Sequence, residues 1–382
     1  MDQPQPIRVL FIINPVRGAG ADMSLLEVAR GLDPGRYHLI IGLLTDAPEA
    51  DSLIPPGTET VRFHLTGLNG WHWLPFTCKL LYFLWRRPVH ILHVNSYIPG
   101  NFARLAALLM GVPIIIDHWR GLLRFNPKRR FICRALGRFT ELSLAISKSV
   151  RDHVLSECRL DPERFKVSYI GVDPARFQQL NPAAEVRREL GLSGEVPLVA
   201  LVARMDNWAK GHKELFAALR LLAPSHQLQA LVIGSGRREA EIRALAREVG
   251  VSETVHFLGN RADVPDLLNA VDLYVNPSYT EGFSRSLLEA MAASRPVIAS
   301  RVGGMAEVVR DGDNGLLVPP QDPAALAQAL ARLLDDPDFA KKLGDRARED
   351  VEANYTLERL YREINEMYGE LVEKKMGLPS TD

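Results

Sequence analysis

Short apolar segments alternate with longer amphipathic stretches along most of the chain. A first series of apolar segments covers residues 7–13, 38–44, 91–95, 113–117, 142–146 and 166–170, and a second series covers 198–203, 230–233, 255–258, 273–276 and 297–300. Several of these segments are apolar at nearly every position, which is typical of parallel strands that are covered by helices on both faces. The alternation therefore predicts βαβ units and an α/β fold.

The two series of strands predict two doubly wound, Rossmann-like domains. The pattern is interrupted at 171–174, and a polar helix predicted over 182–190 leads into the second series. We predict an N-terminal domain over 1–180 and a C-terminal domain over 181–355, with a charged helix near 356–382 that packs back on the first domain. Because such sheets bind ligands at the carboxyl ends of their strands, we expect the two domains to face each other across a cleft.

Basic and acidic residues balance at 46 each, but they are unevenly distributed. Between Arg62 and Arg138 there are 12 basic residues and a single acid, Asp117, so this stretch has a net charge of +11. Aromatic residues accompany the charge over 71–85, and we expect residues 71–138 to contact an anionic membrane surface. A core helix with a solvated basic end would give the same pattern. No recognition motif for nucleic acid accompanies the charge, so we expect no nucleic acid partner.

The cysteines and the N-terminal residues indicate the compartment that we expect. Three cysteines without a C-x-x-C pair favour neither a disulfide framework nor a zinc site. The first residues contain no basic region and no small-residue cleavage site, and no apolar stretch reaches the roughly 18 residues of a membrane span. We therefore expect a cytoplasmic protein that associates peripherally with the inner face of the membrane.

Candidate chemistry is concentrated where strands of the second series end. The segment from Glu281 to Glu289 follows the strand at 273–276 and opens a helix predicted over 286–293. A helix N-terminus presents unpaired N–H groups and favours an anion such as a phosphate. Considered singly, Glu281 is better interpreted as an acid that complements the helix dipole, and Glu289 as a glutamate on the helix surface.

Two cations and two glycine-containing turns end neighbouring strands of this series. Arg204 and Lys210 follow the strand at 198–203 and suit one diphosphate, the arginine by a bidentate fork and the lysine as a point charge. Two solvated surface cations would give the same sequence pattern. Gly234 belongs to a G-x-G turn, which by itself indicates a plain turn as readily as a ligand loop. Gly259 follows the strand at 255–258, at the same predicted edge of the sheet.

Together these residues resemble the donor domain of the family-4 retaining glycosyltransferases of GT-B fold. The resemblance spans residues 203–320, and the matching segments are 203–204, 210–211, 232–236, 255–259, 277–278, 281–283, 288–292, 296–300, 302–304, 307–309 and 315–320. Its centre is the pair of Glu281 and Glu289, with seven residues between them. Ser294 stands where the family commonly has glycine, and Ser284-Arg285 replaces a pair that usually contains glycine or proline. The second departure leaves the identity of the donor sugar open.

The resemblance implies a role for each matching residue. Arg204 and Lys210 would hold the donor diphosphate, and Glu281 would contact the sugar hydroxyls. Glu289 would bind the ribose. The other implied donor-binding residues are Gly282, Phe283 and Ser284 at the sugar, the N–H groups of Leu287 and Leu288 at a phosphate, Gly259, Asn260 and Arg261 at the base, and Gly234 in the same site.

The first half of the chain carries a looser match. Gly18 and Gly20 lie in the turn after the first strand, where the family has a glycine pair close to the donor phosphates. Here Ala19 separates the two glycines, and an ordinary strand-to-helix turn is an equal alternative. His118 ends the strand at 113–117, and the resemblance implies that it meets the donor sugar, whereas alone it would be a structural histidine. Asp117 would orient His118 or hold the acceptor.

We therefore expect a retaining hexosyltransferase that moves a sugar from a nucleotide-diphosphate sugar to a lipid-linked or cell-envelope glycan. Cations and helix N–H groups around the leaving diphosphate would stabilise the transition state. The D-x-D at 311–313 lies in a glycine turn, so we expect neither a metal ion nor another cofactor. Two alternatives stay open: an epimerase of nucleotide sugars on the same fold, and a non-catalytic nucleotide-sugar-binding protein.

Overall fold

The computed structural model describes residues 6–13, 20–45, 54–65, 73–95, 97–178, 180–192 and 196–379, with the backbone alone over 20–24. The chain divides into two compact units, one formed by Met1–Ile170 with Leu357–Asp382 and the other by Gly171–Thr356. The first unit ends at Ile170 and not near residue 180, because the 3-10 helix Pro174–Phe177 packs on the helix Val264–Ala270 of the second unit. The backbone N–H of Asn181 also donates to Asp266, 2.8 Å away in that helix.

The described part of the first unit contains a parallel sheet of seven strands. They are β1 (Ile7–Ile13), β2 (Tyr37–Leu43), β3 (Glu59–Arg62), β4 (Ile91–Val94), β5 (Ile114–Trp119), β6 (Leu142–Ala145) and β7 (Phe165–Val167). Their order in the sheet is β3-β2-β1-β4-β5-β6-β7. The order reverses between β1 and β4, which is the topology of a doubly wound fold.

Helices cover both faces of this sheet, because alternate residues of each strand point to opposite faces. The helices are α1 (Gly20–Arg30), α2 (Trp73–Arg86), α3 (Tyr97–Leu109), α4 (Pro127–Gly137) and α5 (Lys148–Cys158). Phe11 and Ile13 of β1 pack in one apolar cluster with α1, whereas Leu10 and Ile12 pack in another with α2 and α3. Helices α2, α3, α4 and α5 pack successively side by side.

The second unit repeats the same architecture with six described strands. They are β8 (Leu198–Val202), β9 (Gln229–Ile233), β10 (Val255–Gly259), β11 (Leu273–Asn276), β12 (Val297–Ser300) and β13 (Leu316–Val318), and the helices are α6 (Ala183–Glu189), α7 (His212–Leu222), α8 (Glu239–Val249), α9 (Val264–Ala270), α10 (Arg285–Ala292), α11 (Met305–Val308), α12 (Pro323–Asp335) and α13 (Pro337–Asn354). The strand order is β10-β9-β8-β11-β12-β13. The loops after β8 and β11 therefore meet at the switch point where such sheets bind ligands. The α/β fold with parallel sheets is confirmed.

The last helix, α14 (Leu357–Met376), belongs to the first unit although the whole second unit precedes it in sequence. Leu360, Ile364 and Tyr368 join the apolar cluster that includes α1 and one face of the sheet. The side chain of Asn365 donates to the carbonyl oxygen of Gly31 over 2.6 Å. The final helix thus completes the core of the first unit.

Candidate active site

An ion pair joins the loops that follow β8 and β11 in the second unit. Lys210 Nζ lies 2.6 Å from Glu281 Oε2, and the two side chains are only 26% and 15% exposed. Lys210 ends a one-turn 3-10 helix whose start is capped by the side chain of Asn207. The structure therefore brings together two of the predicted catalytic residues at the carboxyl edge of the sheet.

The same two loops also touch through their backbones. Gly211 has a φ of 73°, and a Cβ added there would lie 2.1 Å from the carbonyl oxygen of Pro277. The N–H of Tyr279 donates to the carbonyl oxygen of Ala209 over 2.8 Å. Glycine at 211 is required both by its left-handed backbone and by this close approach.

A glycine pair after β12 packs against the backbone of Glu281 and Gly282. Gly303 has a φ of 50°, and a Cβ there would lie 1.7 Å from the carbonyl oxygen of Glu281. The N–H of Gly304 donates to the carbonyl oxygen of Gly282 over 3.2 Å. The position of Glu281 thus depends on two residues more than twenty positions further along the chain.

Buried polar side chains hold the segment between β11 and α10. Asn276 Nδ2 donates to Ser284 Oγ over 2.8 Å, and Ser278 Oγ donates to Asn276 Oδ1 over 2.7 Å. All three residues are almost completely buried, so each hydrogen bond satisfies a group that water does not reach. Tyr274 OH donates to Ser286 Oγ, which in turn donates to the carbonyl oxygen of Val202 in β8. No sequence signal indicated that Asn276 and Tyr274 belong to this network.

Ser284 also caps helix α10, whose N-terminus is predicted to bind a phosphate. The Leu287 N–H donates to Ser284 Oγ and the Leu288 N–H donates to the Ser284 carbonyl oxygen, both over 3.3 Å. A phosphate would have to displace Ser284 from the Leu287 N–H in order to bind there. Phe283 is buried beside the ring of Tyr355, and Glu289 is half-buried on α10.

The other donor-site candidates of the second unit pair locally. Arg204 Nη1 lies 3.2 Å from Asp206 Oδ2 and its side chain is half exposed, whereas Arg261 makes two hydrogen bonds to Asp263.

The Gly234 N–H donates to the Gly259 carbonyl oxygen over 2.7 Å, and a Cβ at Gly234 would lie 2.2 Å from the Ala203 carbonyl oxygen. Gly234 is therefore needed for contact between loops of the protein itself. Open space surrounds the Cβ position of Gly259, and Asn260 beside it is exposed.

His212, two residues after Lys210, is completely buried, and neither ring nitrogen has a hydrogen-bond partner among the described residues. Burial, and secondarily the charge of Lys210, lowers the pKa of His212 to about 4. The unfolded imidazole has a pKa near 6.5, so between these values the unfolded chain binds more protons than the folded chain. The stability that neutral His212 contributes is therefore present above about pH 6.5 and is lost as the pH falls towards 4.

Replacing this imidazole is expected to flatten the pH dependence of folding. For His212→Leu, the loss of unfolding free energy between pH 7 and pH 4.5 should be smaller than in the wild type by about 2 kcal/mol. Urea unfolding of both proteins at the two pH values measures this difference. An identical pH dependence in both proteins would show that His212 takes up its proton equally in the folded state.

In the first unit, His118 lies inside β5, one residue before the strand ends at Trp119, and is 2% exposed. Its Nδ1 is 3.3 Å from His93 Nε2 on β4 and 3.1 Å from Arg120 Nη2. His93 Nδ1 in turn lies 2.6 Å from Tyr368 OH on α14. Burial, reinforced by the charge of Arg120, lowers the pKa of both histidines well below the usual value. Sequence reasoning missed His93 and Tyr368, because a buried polar residue within an apolar strand or helix gives no periodic signal.

These contacts define which nitrogen of His118 carries the proton. Arginine can only donate, so Nδ1 of His118 accepts, and the neutral imidazole must carry its proton on Nε2. His93 Nε2, at the longer distance of 3.3 Å, then donates to the lone pair that His118 Nδ1 shares with Arg120, and His93 Nδ1 accepts from Tyr368 OH. His118 Nε2 has no hydrogen-bond partner among the described residues. This nitrogen is also shielded from solvent, so a ligand oxygen could reach its N–H only after neighbouring side chains move.

His118 lines a cavity of about 290 Å³ in the first unit, together with Asn95, Tyr97, Arg104, Asp117, Trp119, Arg120, Gly121 and Leu123. Asp117 Oδ2 lies 2.7 Å from Arg104 Nη1, and both side chains are more than nine-tenths buried. Burial raises the pKa of Asp117, and the charge of Arg104 opposes that rise. Asp117 thus pairs with Arg104 and not with the ring of His118. Gly18 lies outside the described residues, and Gly20 begins α1.

No three His, Cys, Asp or Glu side chains come together as a metal site within the described ranges. The expectation of chemistry without a metal or other cofactor stays a prediction.

Comparison with known proteins shows which families and relatives this chain resembles. Residues 183–350 match the family model of Glycosyl transferases group 1, and residues 18–176 match that of Glycosyltransferase Family 4. A D-inositol 3-phosphate glycosyltransferase of Salinispora arenicola is 31% identical over 399 residues, covering 92% of this chain and 87% of that protein. An uncharacterized glycosyltransferase of Methanocaldococcus jannaschii is 30% identical over 231 residues, covering 59% of each chain.

Solved structures share the fold over nearly the whole chain. A glycosyltransferase of Rickettsia africae has a TM-score of 0.85 at 22% identity, covering 97% of this chain and 100% of that one. HepE of Anabaena, in complex with UDP and glucose, has a TM-score of 0.85 at 22% identity, covering 95% of this chain and 100% of that one. The fold is thus that of the GT-B glycosyltransferases. The chain belongs to the group 1, family 4 glycosyltransferases and is an enzyme of that transferase class.

Proposed function

We propose that this enzyme moves a hexose-type sugar from a nucleotide-diphosphate sugar to an acceptor, with retention of anomeric configuration and without a metal ion. The observation that carries this proposal is the Lys210–Glu281 ion pair at the switch point of the second sheet. A lysine ammonium suits a phosphate oxygen, and a carboxylate suits sugar hydroxyls. Donor binding would therefore break the ion pair, with Lys210 contacting the diphosphate and Glu281 contacting the sugar.

The proposed chemistry concerns the bond between the anomeric carbon and the diphosphate. Negative charge grows on the leaving diphosphate as that bond breaks, and Lys210, Arg204 and the N-terminal end of α10 are the groups that would stabilise it. The Nε2–H of His118 would donate to an oxygen of the donor sugar. Because this nitrogen already carries a proton, we propose that a donor phosphate oxygen takes the acceptor proton instead. Rescue by azide of a variant lacking one carboxylate would contradict this, because it indicates a covalent intermediate.

The relatives suggest which substrates to try first. HepE is described in complex with UDP-glucose, so UDP-hexoses are the first donors to test. D-inositol 3-phosphate, named in the Salinispora relative, is one acceptor to test. For this chain we propose a lipid-linked or cell-envelope glycan, because an exposed apolar and basic surface lies on the same unit as the cavity around His118.

Release of nucleoside diphosphate from a panel of nucleotide sugars, in the presence of EDTA, tests the proposal. We expect release from one donor by the wild type and by Lys213→Ala, which removes an exposed lysine on α7, but not by Lys210→Ala or Glu281→Ala. Release that requires a divalent metal would contradict the metal-free mechanism. Tight donor binding without turnover on any acceptor would indicate a binding protein.

The epimerase alternative is separated by analysis of the product. An epimerase would convert the nucleotide sugar into its stereoisomer and would release no nucleoside diphosphate. A transferase releases nucleoside diphosphate in equal amount to the sugar that it transfers.

A further inference from the structure

Exposed apolar side chains are concentrated on one part of the first unit. Eleven large apolar side chains are exposed in the described part of the chain, and nine of them lie between Leu74 and Phe139, on or next to helices α2, α3 and α4. These three helices pack side by side. Exposed apolar residues that are scattered singly need no explanation, but a concentration on adjacent helices indicates a surface that contacts a partner.

Helix α2 is apolar on two opposite sides. Its buried face carries Trp73, Phe76, Leu80 and Leu84, which pack in the core of the first unit. Leu74, Tyr82 and Trp85 lie on another face, and they are 59%, 62% and 67% exposed. At 100° per residue, this second face is about 150° from the first. A helix that only covers a sheet needs no second apolar face, so the exposed one requires another explanation.

Helix α4 adds positive charge around an exposed aromatic ring. Phe131 is 71% exposed and lies between Lys128 and Arg134, which share its side of the helix because they are three residues away in either direction. On α2, Arg86 is exposed next to Trp85. Basic residues beside exposed aromatic residues are the combination that favours the headgroup region of an anionic bilayer.

The charge of this region decides between the partners that an apolar surface could have. Arg86, Lys128 and Arg134 are exposed beside these apolar side chains, so a second copy docked symmetrically on the same surface would place positive charge against positive charge. An anionic lipid surface attracts it instead. No described helix is both long and apolar enough to cross a membrane, so any lipid contact of these helices is made from one side.

We propose that the exposed faces of α2, α3 and α4 dock on an anionic phospholipid surface. Tyr82, Trp85 and Phe131 insert at the headgroup level, while Arg86 and Lys128 contact lipid phosphates. This contact is independent of the proposed transfer reaction, and it would bring the first unit to a lipid-linked acceptor.

Co-sedimentation with vesicles tests the docking surface directly and needs no knowledge of donor or acceptor. We expect the full chain to bind vesicles of phosphatidylcholine mixed equally with phosphatidylglycerol, to bind pure phosphatidylcholine poorly, and to be released by salt. Arg86→Glu with Lys128→Glu should weaken binding about 25-fold or more, since each basic residue near such a surface contributes about fivefold. Tyr82→Ser with Trp85→Ser should weaken it about tenfold.

The second unit offers a matched control. Leu221 is 55% exposed on α7 beside the exposed Arg220, so Leu221→Ser with Arg220→Glu removes the same kinds of group elsewhere. This variant should bind vesicles as the wild type does. The proposal is overturned if the wild type does not bind the mixed vesicles, if the control loses as much binding as the surface variants, or if sedimentation equilibrium shows a dimer that Tyr82→Ser with Trp85→Ser dissociates. Circular dichroism of every variant separates a loss of binding from a loss of folding.

Discussion

Glu281→Gln is expected to lower turnover about a hundredfold while nucleoside diphosphate binds more tightly than to the wild type. Glu281 Oε2 lies 2.6 Å from Lys210 Nζ, so the carboxylate would compete with the proposed donor phosphate for the lysine. The neutral amide keeps the shape of the side chain but removes the competing charge. Turnover falls because the acid that would hold the sugar hydroxyls during the transition state is gone.

Two measurements separate these effects. Steady-state release of nucleoside diphosphate gives turnover, and calorimetric titration with the same nucleoside diphosphate gives its dissociation constant. Glu241→Gln is the control, because Glu241 is a surface carboxylate of the second unit that pairs with Arg238. If turnover and binding of nucleoside diphosphate both fell in Glu281→Gln, the ion pair would be a structural contact that holds the loops in place. It would then not be an ion pair that breaks when the donor binds.

Gly303→Ala is expected to abolish turnover and to destabilise the second unit by roughly 3 kcal/mol or more. Gly303 has a φ of 50°, which costs a residue with a Cβ about 1 kcal/mol. Its Cβ would also lie 1.7 Å from the carbonyl oxygen of Glu281, and relief of such overpacking costs about 2 kcal/mol or more. The atom in the way is backbone, so Glu281 must move and the contact with Lys210 is lost.

The chain provides a matched control for this substitution. Gly312 also has a positive φ, of 77°, but nothing lies within 4 Å of its Cβ position. Gly312→Ala should therefore cost only the backbone term of about 1 kcal/mol and should keep its turnover. Urea unfolding and nucleoside diphosphate release on both variants make the comparison. Equal destabilisation of the two variants would show that the loop after β12 moves away from the added Cβ at no cost in stability and does not position Glu281.

Two described strands, β3 and β13, were missed by the sequence pattern, and both are short. Runs such as 7–13, 273–276 and 297–300 coincide with β1, β11 and β12, which have neighbours on both sides and are covered on both faces. The sequence missed β3 and β13, which each lie at one edge of a sheet, whereas β7 and β10 at the opposite edges were predicted. The four residues of β3, Glu59–Arg62, include a single aliphatic side chain, and β13 has only three residues. Both segments are therefore too short or too poor in apolar residues to give a strand pattern.

The candidate site was predictable in its residues but not in their contacts. Glu281 and Lys210 stood out because each follows a predicted strand, and strand ends of a parallel sheet meet at one edge. That the two form an ion pair depends on loop conformations set by Gly211, Gly303 and Ser284, and no local pattern encodes these. The paired N–H groups of Leu287 and Leu288 were equally beyond prediction, because a serine serves as readily as a helix cap as it does as a ligand contact.

Helix α14 has a consequence for the order in which the chain folds during its synthesis. The second unit is one continuous segment, Gly171–Thr356, and contains all its own strands before the ribosome reaches the last helix. The first unit, although made first, lacks Leu360, Ile364 and Tyr368 of its apolar core until the final residues emerge. One face of its sheet, which includes His93, therefore stays uncovered by α14 while the second unit is translated. This reverses the usual N-terminal-first order of domain folding, and it makes the nascent first unit a candidate for chaperone binding.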